Sequence, residues 1–144
     1  MYKTILLTLD GTPTDRAIIE HIKQLAKLAQ SRVVLLHVAD GWAARTFGAD
    51  AVSPEITEDT AYLNRVLSEY QSAGIPVETE LAYGDPPKEI IKWVEQKGCD
   101  LIAMTGHGHR LFSDLFYGST ITEVRHRTSI PILVVRAPKK QFEL

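Results

Sequence analysis

Five short apolar runs punctuate the chain, each long enough for one strand and too short for one buried helix. They span residues 4–9 (TILLTL), 32–38 (RVVLLHV), 76–82 (PVETELA), 100–104 (DLIAM) and Pro131 to Arg136 (PILVVR). Most lack polar alternation, which suits strands covered on both faces. Residues 76–82 do alternate and read as a strand nearer an edge. Helical spacing fills the intervals. Ile18, Ile22, Leu25 and Ala29 share one helical face, and Thr12 with Pro13 and Asp15 supplies an N-cap, a first-turn proline and a first-turn acid. Pro54 opens a second helix with Leu63, Val66, Leu67 and Tyr70 inward and Gly74 at its end. Asp85-Pro86-Pro87 opens a third, with Ile90, Ile91 and Val94 inward, and a fourth ends near Arg127.

Strand and helix in strict alternation predict an α/β domain with a parallel sheet. The expected architecture is a single domain over 1–144, with residues 137–144 as a loose tail. The sheet order is expected to be 3-2-1-4-5, with helices on both faces. In that order strand succession reverses between strands 1 and 4, and ligands of such sheets bind beyond the carboxyl ends at the reversal. The loops after Leu9 and after Met104 are therefore the ones that matter.

Composition narrows the partners. A net charge of −2 over 144 residues argues against nucleic acid. The charge is uneven, however: residues 85–144 carry nine basic and seven acidic side chains, a weak bias toward an anion site there. One cysteine, Cys99, has no internal disulfide partner, and it reads as a small core residue. No apolar run reaches the ~18–20 residues of a membrane span, and Met1 to Ile5 lead directly into a strand without a leader-like segment. The expected setting is the cytoplasm, without membrane contact.

The loop after strand 4 reads Thr105-Gly-His-Gly-His-Arg110, and Tyr117-Gly-Ser-Thr120 follows at the expected start of the fourth helix. Glycines let amides approach a phosphate, a helix N-terminus offers free N–H donors and a positive dipole end, and Ser119 and Thr120 add hydroxyls. The same residues could equally be turn formers and a cap. Asp10 at the end of strand 1 is either a ligand for a ribose or cation, or the first residue of an Asp-Gly turn.

Gly108, nine residues, Gly118 and then Ser119 resemble the nucleotide-binding signature of the universal stress protein family: Gly, two residues, Gly, nine residues, Gly, then Ser or Thr. Residues 4–12 (TILLTLDGT), 33–40 (VVLLHVAD), 84–91 (GDPPKEII), 100–108 (DLIAMTGHG) and the last strand are similar to that family's segments in order. One position departs: Thr105 stands at the first signature glycine, with Gly106 one place later.

The resemblance implies an adenine nucleotide alpha hydrolase-like fold and ATP with Mg2+ as the bound group. It implies Thr8, Leu9 and Asp10 along the adenosine, Val38 flanking the adenine, and Met104 and Thr105 on the ribose side, with Gly106 among the binding residues as the glycine next to Thr105. Gly108, Gly118, Ser119 and Thr120 would hold the phosphates, and His109 and Arg110 are the nearest cationic groups. It further implies a homodimer paired antiparallel through the last strand, and a role as a nucleotide-dependent sensor or regulator acting on a protein partner. No catalytic residue or dedicated metal site is expected. The alternatives are a member that works through protein contacts without nucleotide, and a slow ATPase or nucleotidyl-transfer enzyme.

Other signals carry less. No Gly-Lys-Ser/Thr loop and no Gly-x-Ser-x-Gly elbow occurs. His107, His109 and Asp114 could chelate a metal but lack a second cluster. His37, within a buried-type strand, reads as a hydrogen-bonded structural histidine. His126, between Arg125 and Arg127, suits the negative end of a helix. Trp42 and Phe47, in the unpatterned stretch 39–53, read as a lid over the site, a partner contact or packing on the second helix.

Overall fold

The computed structural model describes residues 1–39, 54–106 and 112–137. Trp42, Phe47, His107, Gly108, His109, Arg110 and residues 138–144 of the expected tail lie outside them; Ala137, its first residue, is buried and its amide donates to Gly106 O at 3.3 Å. Five strands, β1 (Thr4–Thr8), β2 (Arg32–Ala39), β3 (Val77–Tyr83), β4 (Leu101–Gly106) and β5 (Ile132–Arg136), form one sheet in the order β3-β2-β1-β4-β5. All four pairings are parallel. Register is set at the centre, where Leu6 of β1 lies between Val34 of β2 and Ile102 of β4.

The continuous apolar runs are explained by the two cores. Ile5, Leu7, Val33, Leu35, Leu101 and Ala103 point to one face. That face is covered by helices α1 (Asp15–Ala29) and α2 (Pro54–Ser72), through Ile18, Ile22, Leu63, Val66 and Tyr70. Leu6, Val34, Leu36, Ile102 and Met104 point to the other, under α3 (Pro86–Lys97) and α4 (Phe112–Arg127), through Ile90, Val94 and Val124. Alternate residues thus bury in opposite cores, and neither side of the central strands can be polar. Cys99 joins the second core. Burial first, and then the charge of Asp100, pushes its thiol up to about 11.

Two helix starts differ from expectation. α1 begins at Asp15, after a turn in which the Asp15 amide donates to Thr12 O (3.0 Å) and the Arg16 amide to Pro13 O (3.2 Å). The Thr12 and Thr14 hydroxyls bond each other at 2.6 Å, and the Thr14 side chain makes no capping bond to the helix. α4 begins at Phe112, so Gly118, Ser119 and Thr120 lie inside it and not at its first turn. A glycine costs a helix interior only about 1 kcal/mol, too little to delay a start. Asp85 does cap α3, accepting from the Lys88 amide at 3.4 Å. No helix among the described residues is long and apolar enough to cross a membrane.

Candidate functional site

The chain leaves β1 toward α1 on one face and leaves β4 toward α4 on the other, so a crevice opens between their carboxyl ends. Thr8 ties the two strands at that point, its hydroxyl donating to Ala103 O at 3.2 Å. Above it lies a cleft enclosing about 640 Å3 of empty space, its open mouth included. Leu36, Val38, Pro86, Ile90, Met104 and Ile121 supply apolar walls, and Thr8, Asp10, His37, Thr105 and Thr120 supply polar groups. Mostly apolar walls with a few polar groups at a strand-order reversal are the usual make-up of a small-molecule site.

Of the residues singled out in the sequence, Thr8, Leu9, Asp10, Val38, Met104, Thr105 and Thr120 line this one cleft. Ser119 is exposed and lines an adjoining hollow with Asp85, Pro86, Pro87, Thr120 and Glu123. Gly118 lies within α4, where an amide donates to the carbonyl four residues earlier and is not free for a phosphate. Gly106 ends β4. A Cβ built there would stand 2.6 Å from Val134 Cγ1 of β5, so packing between strands accounts for this glycine. Thr105 is 6% exposed, and its hydroxyl has no hydrogen-bond partner among the described residues.

The turn after β1 is shaped from outside itself. Leu9 continues the ladder, its amide donating to Leu36 O at 2.8 Å. Gly11 then takes φ +82°, where a side chain would be strained; the ring of His37 lies 3.5 Å from where a Cβ would stand, an ordinary contact. The Asp15 carboxylate accepts from the amides of Asp10 (3.0 Å) and Gly11 (2.9 Å) and from the Tyr62 hydroxyl of α2 (2.6 Å). Burial first, and then the neighbouring Asp10 charge, raises the Asp15 pKa, against the lowering effect of those three bonds.

His37 matches its structural reading and also borders the cleft. Its Nδ1 bonds Leu9 O at 2.8 Å. A carbonyl only accepts, so Nδ1 carries the proton. Its Nε2 lies 3.3 Å from Asp59 Oδ2 on α2. Sequence reasoning passed over Asp15, Tyr62 and Asp59 as site-related. Tyr62 lies 47 residues from Asp15, and no local pattern joins them. Leu36 was detectable, since it shares with Val38 one face of β2.

Comparison with known proteins finds the same fold in several relatives. Universal stress protein MJ0577 of Methanocaldococcus jannaschii is 28% identical over 94% of this chain and 96% of its own. The solved structure of MJ0577 superposes with a TM-score of 0.78 at 29% identity, covering 96% of this chain and 99% of that one. A universal stress protein in complex with cAMP superposes at 0.71, with 18% identity and 94% and 97% coverage. The Archaeoglobus fulgidus universal stress protein in complex with dAMP does so at 0.70, with 17% identity and 93% and 98% coverage. The sequence profile of the universal stress protein family matches residues 1–136, and the chain belongs to that family.

Proposed function

We propose that the cleft between β1 and β4 binds an adenine nucleotide, ATP with Mg2+, and that the protein acts as a cytoplasmic, dimeric, nucleotide-dependent regulator. The observation that carries this reading is the convergence of Thr8, Asp10, Val38, Met104 and Thr120 on one mostly apolar cleft at the strand-order reversal. A purine suits the walls formed by Val38, Ile90 and Met104, and Asp10 offers a carboxylate to ribose hydroxyls or the adenine amine. Relatives of this fold solved with cAMP and dAMP support an adenosine monophosphate core to the ligand.

Phosphates extend, in this reading, toward the hydroxyls of Thr120 and Ser119 and the segment holding Gly108, His109 and Arg110. Magnesium enters as the counter-ion of the triphosphate, coordinated by its oxygens. Hydrolysis is expected to be slower than about one turnover per minute. Phosphoryl transfer needs an oriented water and cations matched to the transition state, whereas hydroxyls around a ground-state phosphate add no turnover. The dimer is proposed through β5, the sheet edge, where Val134 is 46% exposed and a second strand can pair.

A second reading, a member acting through protein contacts without nucleotide, draws on two observations. Gly118 is helical and Gly106 is accounted for by its approach to Val134, and this reading calls on neither glycine for an anion. Denaturing the purified protein and identifying released small molecules, followed by calorimetry with ATP, ADP and GTP, separates the two. Binding of ATP with GTP at least tenfold weaker supports the first. No heat at millimolar ATP overturns it in favour of the second.

A further inference from the structure

We propose that Asp15 is a positioning residue for the cleft: its buried carboxylate, anchored to α2 by Tyr62, holds the turn after β1 so that Asp10 borders the ligand space. The inference rests on the nucleotide reading of that cleft. Asp15 is fully buried at the first turn of α1, yet the partners of its carboxylate lie outside that helix. Its two oxygens reach back instead, to the amides of Asp10 and Gly11, and receive the hydroxyl of Tyr62.

Three donors converge on one acceptor-only group, an arrangement that a carboxylate satisfies and an amide does not. With asparagine, the NH2 would face either the Gly11 or the Asp10 amide, and one buried donor would lose its partner. The arrangement is also costly in itself. Asp15 is removed from water, and Asp10 stands near enough for its charge to act on it. A helix start could be closed by a serine or threonine without either penalty. What the carboxylate adds is the path of the Asp10-Gly11 backbone, which takes a left-handed φ at Gly11. Tyr62 fixes the carboxylate in turn from α2, outside the local segment. The side chain that borders the cleft is thus set by a group that does not touch the ligand.

The test is an NMR titration with MgATP on wild type, Asp15→Asn, Tyr62→Phe, Asp10→Ala and the double variants carrying Asp10→Ala. It reads dissociation constants into the millimolar range and the amide resonances of Asp10 and Gly11 together. Asp15→Asn is expected to weaken binding at least tenfold and to move the Asp10 and Gly11 amide protons upfield. Tyr62→Phe is expected to weaken it about two- to fivefold. In the Asp10→Ala background both losses fall below twofold, because the side chain being positioned is gone. Equal losses with and without Asp10 would show a merely structural role and overturn the proposal, as would an Asp15→Asn protein binding within twofold of wild type. Should Asp15→Asn fail to fold, Tyr62→Phe decides by the same criterion. A wild type that shows no shifts with MgATP refutes the nucleotide reading itself. A wild type that binds while the variants bind equally well refutes only this inference.

Discussion

Gly106→Ala tests whether the glycine at the end of β4 is present for packing. A Cβ there would stand 2.6 Å from Val134 Cγ1, against an ordinary contact of 3.4–4 Å. Val134 must therefore retreat by roughly 1 Å or change rotamer. Overpacking of this kind costs about 1–3 kcal/mol. Val134 sits half-exposed on the edge strand and has room to move, so the lower part of that range applies, about 1.5 kcal/mol. Unfolding of 144 residues carries an entropy of about 0.3 kcal/mol/K, which converts the cost to a fall in Tm of about 5 °C. Within one subunit, Val134→Ala alone should cost about 0.5 kcal/mol or less, because much of the side chain points out of the subunit. The double variant should be more stable than Gly106→Ala by about 1 kcal/mol, a coupling expected of touching residues. Calorimetric melts and urea titrations of the four proteins measure this. Wild-type stability in Gly106→Ala, or additive losses in the double variant, would refute the packing account.

Three further outcomes follow from the same geometry. Burial alone would raise Glu69, but bonds from Lys23 and Arg16 bring its carboxyl below the ordinary value near 4.5. Its stabilisation is therefore present above that pH and lost as pH falls through the lower folded value, and urea titrations of Glu69→Gln should show a shallower acid decline than wild type. Asp15 is raised and acts in the opposite sense, its burden easing as pH falls through its folded value toward 3.8. Cys99, at about 11, should alkylate at pH 8 about 100-fold more slowly in the native protein than in urea, from thiolate fraction alone; equal rates would contradict its place in the core. Val134→Lys should convert the proposed dimer to monomer by light scattering, and a wild type that is monomeric at high concentration would remove the β5 interface.

The sheet was legible because strands buried on both faces must be apolar at every position. Residues 4–9, 32–38 and 100–104 advertised themselves in this way, and observed strand ends fall within two residues of expectation. β3 was legible for the opposite reason: Glu78 and Glu80 alternate with Val77, Thr79 and Leu81 because it lies at an edge. Helix starts were less legible. Thr12 and Pro13 look like a cap and a first turn, but the chain uses them in a tighter turn, since the Asp15 carboxylate is bound to the preceding amides. Gly118 resembles a helix start in one dimension and is a tolerated interior residue in three. At the site, Thr8, Asp10, Val38 and Met104 were readable as strand-end residues. Thr105 was readable as a departure, although the burial of its hydroxyl was not. The Tyr62–Asp15 and Asp59–His37 contacts cross from α2 to the ends of β1 and β2, and such pairings depend on tertiary packing alone.

Nucleotide is proposed to occupy the cleft between β1 and β4. Amide shift mapping during a MgATP titration of the wild type tests it most directly. The largest shifts should fall on Thr8, Leu9, Asp10, Val38, Met104, Thr105 and Thr120, with little change at Arg16, Arg65 and Glu69, which line the separate hollow between α1 and α2. Shifts concentrated at that hollow, or none at millimolar ATP, would contradict it.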